Sequence, residues 1–343
     1  MKRICIGLLA SLCLSLGGCS WKDASDLSPV TAGAITQKNG QYILTAELAI
    51  PSADRASPDA VTVSGKAGSI PQAIDQTGYG LDAQLYWSHA RVILLDKSLL
   101  WNGVHDCIQS LTHSSEVRPA VRLCAVRNTD AASLLKKGTS ANGDPAGFAL
   151  GDSISYAVQQ SQTPDMPLYR MLDRLETDGI DPVLPAVSLD DTQAVLSGSV
   201  LFSDDAICGW LDEQQTGILS ILLADGDTAT VYDTDTRYQL SHICTKVTAK
   251  TDHRPHITVT IQADAACETD KQAQQAAHQL QEQSCAVISA LQQSGCDALG
   301  FGRAWQREDA DSWKQASSDA WQTLPVSVHV TCHAVQSSEG GSR

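Results

Sequence analysis

Residues 85–95 read LYWSHARVILL, and they decide the fold. The segment ends in four consecutive apolar residues, Val92 to Leu95, as a strand buried on both faces does. Asp96 follows, a residue suited to cap a helix beginning at Lys97. Gly103 interrupts that helix. Val104, Cys107, Ile108 and Leu111 then recur at i, i+3, i+4 and i+7, one apolar helical stripe. Residues 121–126 (VRLCAV) return to a strand, and Thr129 is placed to cap a short helix over 131–137 that Gly138 ends. Strand, helix, strand, helix within about fifty residues predicts a compact unit of mixed layers.

Outward from this unit the pattern stays mixed. Residues 41–50 (QYILTAELAI) alternate as a strand, with the turn pair Asn39-Gly40 before it. Residues 61–65 form a short strand, and Ser69 with Pro71 marks the start of a short helix. The Gly-rich stretch 138–152 reads as a loop, followed by helices over 153–162 and 167–177. The Pro-punctuated stretch 179–191 is the main candidate boundary. Residues 195–202 and 206–211 form a hairpin about Asp204-Asp205, 218–224 is an apolar run, and 257–263 alternates cleanly. Thr269-x-x-Gln272 is a capping box at the head of a helix over 270–294. Ala273, Ala276, Ala277, Leu280, Val287, Ile288 and Leu291 hold one face of it, and Gly295 terminates it. Val326, Val328, Val330, Cys332 and Ala334 line one face of a last strand. There is no internal repeat and no regular strand–helix–strand rhythm, so the class is α+β.

Composition narrows the function. The chain has 343 residues and a formal net charge of −15. No basic face is visible, which argues against a nucleic-acid partner. No run of basic residues is present to hold anionic lipid either. With 43% hydrophobic residues but only 5% aromatics, the cores must be built of Leu, Val, Ile and Ala.

The first residues, MKRICIGLLASLCLSLGGCS, have the layout of an export signal: Lys2 and Arg3, an uncharged run from Ile4 to Leu16, and the small pair Gly17-Gly18 before Cys19. The run is shorter than a bilayer span. The end of the segment resembles the lipobox of bacterial lipoproteins. By that resemblance residues 1–18 are removed and Cys19 becomes the first residue, its thiol carrying diacylglycerol. Two or more acyl chains give stable anchoring. Cys5 and Cys13 leave with the signal. Cys107, Cys124, Cys208, Cys244, Cys267, Cys285, Cys296 and Cys332 remain. An even number outside the cytoplasm permits disulfides, but their pairing is not legible from spacing.

Two blocks resemble the Ger(x)C spore-germination lipoproteins, the C subunits of nutrient germinant receptors. One is Leu85-Tyr86-x-x-His89-x-x-Val92-Ile93-Leu94, followed by Gly103-Val104 and Glu116-x-Arg118. The other is Asp297-Ala-Leu-Gly300-Phe301-Gly302, then Trp313-Lys314 and the last strand. Leu184-Pro185, the run from Gly198 to Phe202, and Gly209-Trp210-Leu211 fit between them in order. The tail departs from the family's basic, Gly-ended form, and the acidic, cysteine-rich composition is unusual for it.

The resemblance implies three small α+β domains, two of them in an N-terminal module over 19–190 and one in a C-terminal module over 191–336, followed by a tail over 337–343. It implies a non-enzymatic lipoprotein at the outer face of the cell or spore inner membrane. There it would assemble with two integral-membrane subunits, A and B, with no cofactor beyond the lipid at Cys19. The competing reading from another class is an extracytoplasmic solute-binding lipoprotein of a transporter.

Other constellations are weaker. Gly151-Asp152-Ser153 looks like an esterase nucleophile block, but a serine nucleophile needs an oriented histidine, and Ser153 reads more simply as a helix cap. His242, Cys244, His253 and His256 are metal-ligand types without a usual zinc spacing. His89 reads as a structural, hydrogen-bonded histidine, and His329 and His333 fall on the polar face of the last strand. Trp305, Trp313 and Trp321 are read as core beneath that strand, with a partner surface as the alternative.

Overall fold

The computed structural model describes residues 27–52, 58–138, 144–233, 236–251, 254–317 and 319–336. The lipobox-type segment, Cys19, His253 and the 337–343 tail lie outside the described residues.

The larger sheet has nine strands. Its centre is parallel: β1 (Leu27–Lys38), β5 (Val92–Leu95), β6 (Arg122–Val126) and β7 (Val183–Asp190) lie side by side. The flanks are antiparallel, with β2 (Gln41–Ile50) and β3 (Asp59–Ala67) on one side and β8 (Gln193–Ser203) and β9 (Ala206–Leu211) on the other. After β3 comes helix α1 (Ile70–Thr77), and the short β4 (Gln84–Tyr86) also pairs with β1.

Parallel strands need crossovers, and helices supply them. Between β5 and β6 run α2 (Lys97–Asn102) and α3 (His105–Thr112). Between β6 and β7 run α4 (Ala131–Lys137), α5 (Ala146–Gln159) and α6 (Leu168–Leu175). They cover two faces. Val92 and Leu94 pack with Leu134, Leu150 and Ile154, whereas Ile93 and Leu95 pack with Leu99, Leu100, Cys107, Ile108 and Leu111. That double burial is why Val92 to Leu95 is uniformly apolar. The predicted 85–95 strand is in fact broken: β4 ends at Tyr86, a 3-10 turn takes Trp87–His89, and pairing resumes at Val92.

Other local expectations shift for physical reasons. Asp130, not Thr129, caps α4, its carboxylate accepting from Ser133 N at 2.8 Å. The stretch 146–152, read as loop, is helical. α5 starts after Pro145, and its first N–H groups are satisfied by Glu47, a distant residue with no local signature. Ala146 N and Gly147 N donate to the Glu47 carboxylate at 3.0 and 2.8 Å, and Thr31 Oγ1 donates to it at 2.5 Å. Glu47 is wholly buried, and burial raises its pKa. Ser153 therefore sits mid-helix and exposed, and it is not a cap.

The stretch 179–191 contains an interior strand, β7, with Val183 to Val187 buried. Pro185 is tolerated there because the register to β8 shifts between Pro185 and Val187, and bulges are where a sheet accepts proline. The hairpin from β7 to β8 turns at Asp191-Thr192, so the larger sheet runs across residues 190 and 191.

The smaller sheet holds β10 (Thr228–Asp233), β11 (Thr236–Lys250), β12 (His256–Ala266) and β13 (Val326–Val335), in that order. The apolar run at 218–224 belongs to α7 (Glu213–Leu223), headed by a capping box of Asp212 and Gln215. The parallel β12–β13 pair is bridged by α8 (Asp270–Ser294), whose Thr269/Gln272 capping box and left-handed Gly295 end are as expected. Its buried stripe is Ala273, Ala276, Leu280, Val287, Ile288 and Leu291. Each of the larger side chains contributes roughly 1.5–3 kcal/mol. Helix α9 (Phe301–Glu308) packs on β11, and α10 (Ala310–Gln315) follows it.

Candidate functional site at the junction of the two sheets

After Gly295 the chain enters the Asp297–Gly302 block. Gly300, at φ +70°, is the N-cap of α9 and has no side chain to give the exposed N–H groups. Asp297 supplies what it lacks. Its two carboxylate oxygens accept from Phe301 N and Gly302 N, each at 2.7 Å.

The same residue ties the two sheets together. Asp297 N donates to Asp181 Oδ2 at 2.6 Å, and Asp181 N returns a bond to Asp297 O at 2.9 Å. The other oxygen of Asp181 accepts from Asp204 N at 3.0 Å, in the β8–β9 turn. Arg174, at the end of α6, donates to the carbonyls of Asp181 and Ala298 at 2.7 and 2.9 Å. Arg303 N donates to Gly179 O at 2.8 Å. Elements from both sheets thus share one hydrogen-bonded knot.

Its electrostatics are those of a buried joint. Asp297 is 2% exposed, and burial pushes its carboxyl up to about 7 against the pull of the helix N–H groups. Burial likewise raises Asp181 and brings the Arg174 guanidinium down to about 10. The hydrogen bonds that Asp297, Asp181 and Arg174 make here go to backbone groups, so they cap and clamp the chain.

The family-type residues assort around it. Gly302 and Trp313 touch here: a Cβ on residue 302 would lie 2.6 Å from the Trp313 ring and 2.9 Å from Gly179 Cα. Trp313 stacks edge-on against Trp305 with centroids 5.5 Å apart. Trp305 and Trp321 are buried and Trp313 half-buried, which makes this aromatic group core. Gly103 joins through its neighbour, since Val104 N donates to Asp205 O at 2.9 Å. Phe301 is buried in the same core.

Three lie elsewhere. Gly198, at φ +94° in β8, backs directly onto Leu211 O, where a Cβ would sit 2.1 Å away. Lys314 is exposed on α10. His89 is also exposed, its ring edge-on to Tyr86 at 5.1 Å. It borders an open cleft of about 480 Å³ with Arg91, Arg118, Arg122, Asp152 and Ser155, in which Arg91 pairs with Asp152 and Arg122 donates to Asp165 and Ser155.

Among the candidate ligands, His242 Nδ1 pairs with Asp264 at 3.0 Å, and Cys244 is exposed on β11. Among the described residues no three His, Cys, Asp or Glu side chains converge on a metal position. Nor is any helix there long and apolar enough to cross a membrane. The partners that sequence reasoning missed are Asp181, Arg174 and Glu47. Their signal is three-dimensional: Asp181 meets Asp297 116 positions away, Arg174 meets Ala298 124 away, and Glu47 meets Ala146 and Gly147 99 and 100 away.

Comparison with known proteins adds three findings. Residues 22–189 match the family described as "Spore germination protein N-terminal domain", and residues 197–338 match "Spore germination B3/GerAC like, C-terminal". No curated protein sequence matches the chain. A solved structure titled "Crystal Structure of the GerBC protein" superimposes with a TM-score of 0.56 at 18% identity, over 89% of this chain and 97% of that one, which shows a shared fold. The two matches follow one another along almost the whole sequence, and the chain belongs to the GerAC-like spore germination protein family.

Proposed function

We propose that this chain is the lipid-anchored subunit of a nutrient germinant receptor, working by binding and not by catalysis. The observation that carries the reading is positional. The family match opens at residue 22, directly behind the basic head, apolar run and Gly17-Gly18-Cys19 of an export and lipidation signal. Diacylglycerol at Cys19 would hold residues 20–343 against the outer face of the spore inner membrane. Integral-membrane A and B subunits would be bound from there.

The clamped junction supports a scaffold role. Asp297, Asp181 and Arg174 spend their hydrogen-bonding atoms fixing one sheet against the other. The modules at 19–190 and 191–336 would then move as a unit and pass strain between membrane partners. The test is deletion of the gene in a spore-forming host without a redundant receptor, followed by loss of spore refractility on adding nutrients. Loss of the response to at least one nutrient, restored by the wild-type gene, is expected. Unchanged responses to every nutrient would overturn the reading.

A further inference from the structure

We propose that Cys208 and Cys296 form a redox-active dithiol pair, closing to a disulfide that staples β9 of the larger sheet to the loop after α8.

The geometry begins with a register shift. Ile207 pairs with Phe202 and Gly209 with Leu201, which leaves Cys208 as the extra residue of a β-bulge. A bulge re-aims a side chain out of the strand's alternation. The strand beside it runs against the end of α8, where a Cβ on residue 209 would come within 3.3 Å of Ser294 Cβ. Gly295 then reverses the chain in a left-handed turn and delivers Cys296 to the same place.

Cys296 is wholly buried, its Sγ 3.9 Å from Pro182 O and close to the Phe202 backbone. The Cys208 and Cys296 thiols are close enough that each acts on the other's ionisation. In this structure both are free thiols.

The two sulfurs have unequal surroundings, which sets the order of events. Cys208 is half-buried, and the bond from Cys296 lowers its pKa. Burial raises that of Cys296. The thiolate is the attacking form. Cys208 therefore reacts first with a disulfide-bearing oxidant, such as oxidised glutathione or a thiol oxidoreductase. Its Sγ bonds to one sulfur of the oxidant, the oxidant's S–S bond breaks, and the other half leaves as a thiol with the Cys208 proton. Cys296 Sγ then attacks Cys208 Sγ, the mixed disulfide breaks, and the second half leaves as a thiol with the Cys296 proton. Two electrons pass from the pair to the oxidant.

The test uses the purified full chain equilibrated in glutathione buffers of increasing oxidised fraction, digested without reduction and read by mass spectrometry. A linked Cys208–Cys296 peptide is expected, at poises where the buried Cys107 and Cys124 still react as thiols after unfolding. Oxidation should raise the melting temperature of the native chain but not of Cys208→Ser. Cys296→Ser should trap Cys208 as its glutathione adduct, while Cys208→Ser should leave Cys296 unmodified. If no linked peptide forms at any poise in the folded native chain, the proposal fails. It also fails if Cys296→Ser leaves Cys208 free of glutathione while folded. The native-chain result stands even if a variant does not fold. None of these readouts depends on the receptor assignment.

Discussion

Asp297→Asn removes one titratable carboxyl from the junction while keeping the side chain's shape. In the native chain burial holds this carboxyl at about 7, against an ordinary 3.8. Between about pH 4 and pH 7 the folded chain therefore keeps a proton that the unfolded chain has released. The stability linked to this group is full below pH 4 and declines as pH rises through 7. A gap of about three units at about 1.36 kcal/mol each amounts to about 4 kcal/mol across that window. Asparagine does not titrate there. At pH 4 a protonated carboxyl and an amide each offer one good acceptor to Phe301 N and Gly302 N, so the two proteins should differ by about 1 kcal/mol or less. From pH 4 to pH 8 the difference should move in favour of Asp297→Asn by up to about 4 kcal/mol. Urea unfolding of both proteins at half-unit pH steps measures it. A difference that moves against the variant as pH rises would mean that the helix N–H groups outweigh burial, and would refute the reasoning.

Three further outcomes are expected. Glu47→Ala leaves Ala146 N and Gly147 N without their acceptor, while the Thr31 hydroxyl keeps only the residue 47 carbonyl at 3.3 Å, and at about 1–3 kcal/mol for each orphaned group urea unfolding should show a loss of at least about 2 kcal/mol. Gly198→Ala forces a side chain into φ +94° against Leu211 O, and the melting temperature should fall in step with roughly 1–3 kcal/mol of strain. Cys19→Ala should move the chain from the membrane fraction to the soluble fraction on immunoblotting of fractionated cells, because no other lipid attachment is proposed.

Where the chain solves its problems locally, the sequence was readable. Val92 to Leu95, the 104–111 stripe and the 270–294 helix carry their own periodicity and caps, and the structure places them as read. Gly295 is read as the end of that helix, and it sits there at φ +76°. The unread elements borrow their definition from far away. β1 carries Pro29 and a run of small residues, and its burial comes from flanking strands and helices. β10 and β11 alternate weakly because one edge of their sheet is half exposed, and His242 sits in a register shift. The start of α5 depends on Glu47, a hundred residues earlier. The junction was visible only as one of its strands of sequence, the Asp297–Gly302 block. Its partners Asp181 and Arg174 lie in stretches that read as linker and as an ordinary helix.

The most direct test of the receptor reading is mass spectrometry of the tagged chain, affinity-purified from detergent-solubilised spore inner membranes. The account predicts a polypeptide beginning at Cys19, with diacylglycerol on that sulfur, accompanied by two multi-spanning membrane proteins. A chain that begins at Met1 with an unmodified Cys19 and brings down no integral-membrane partner would contradict it.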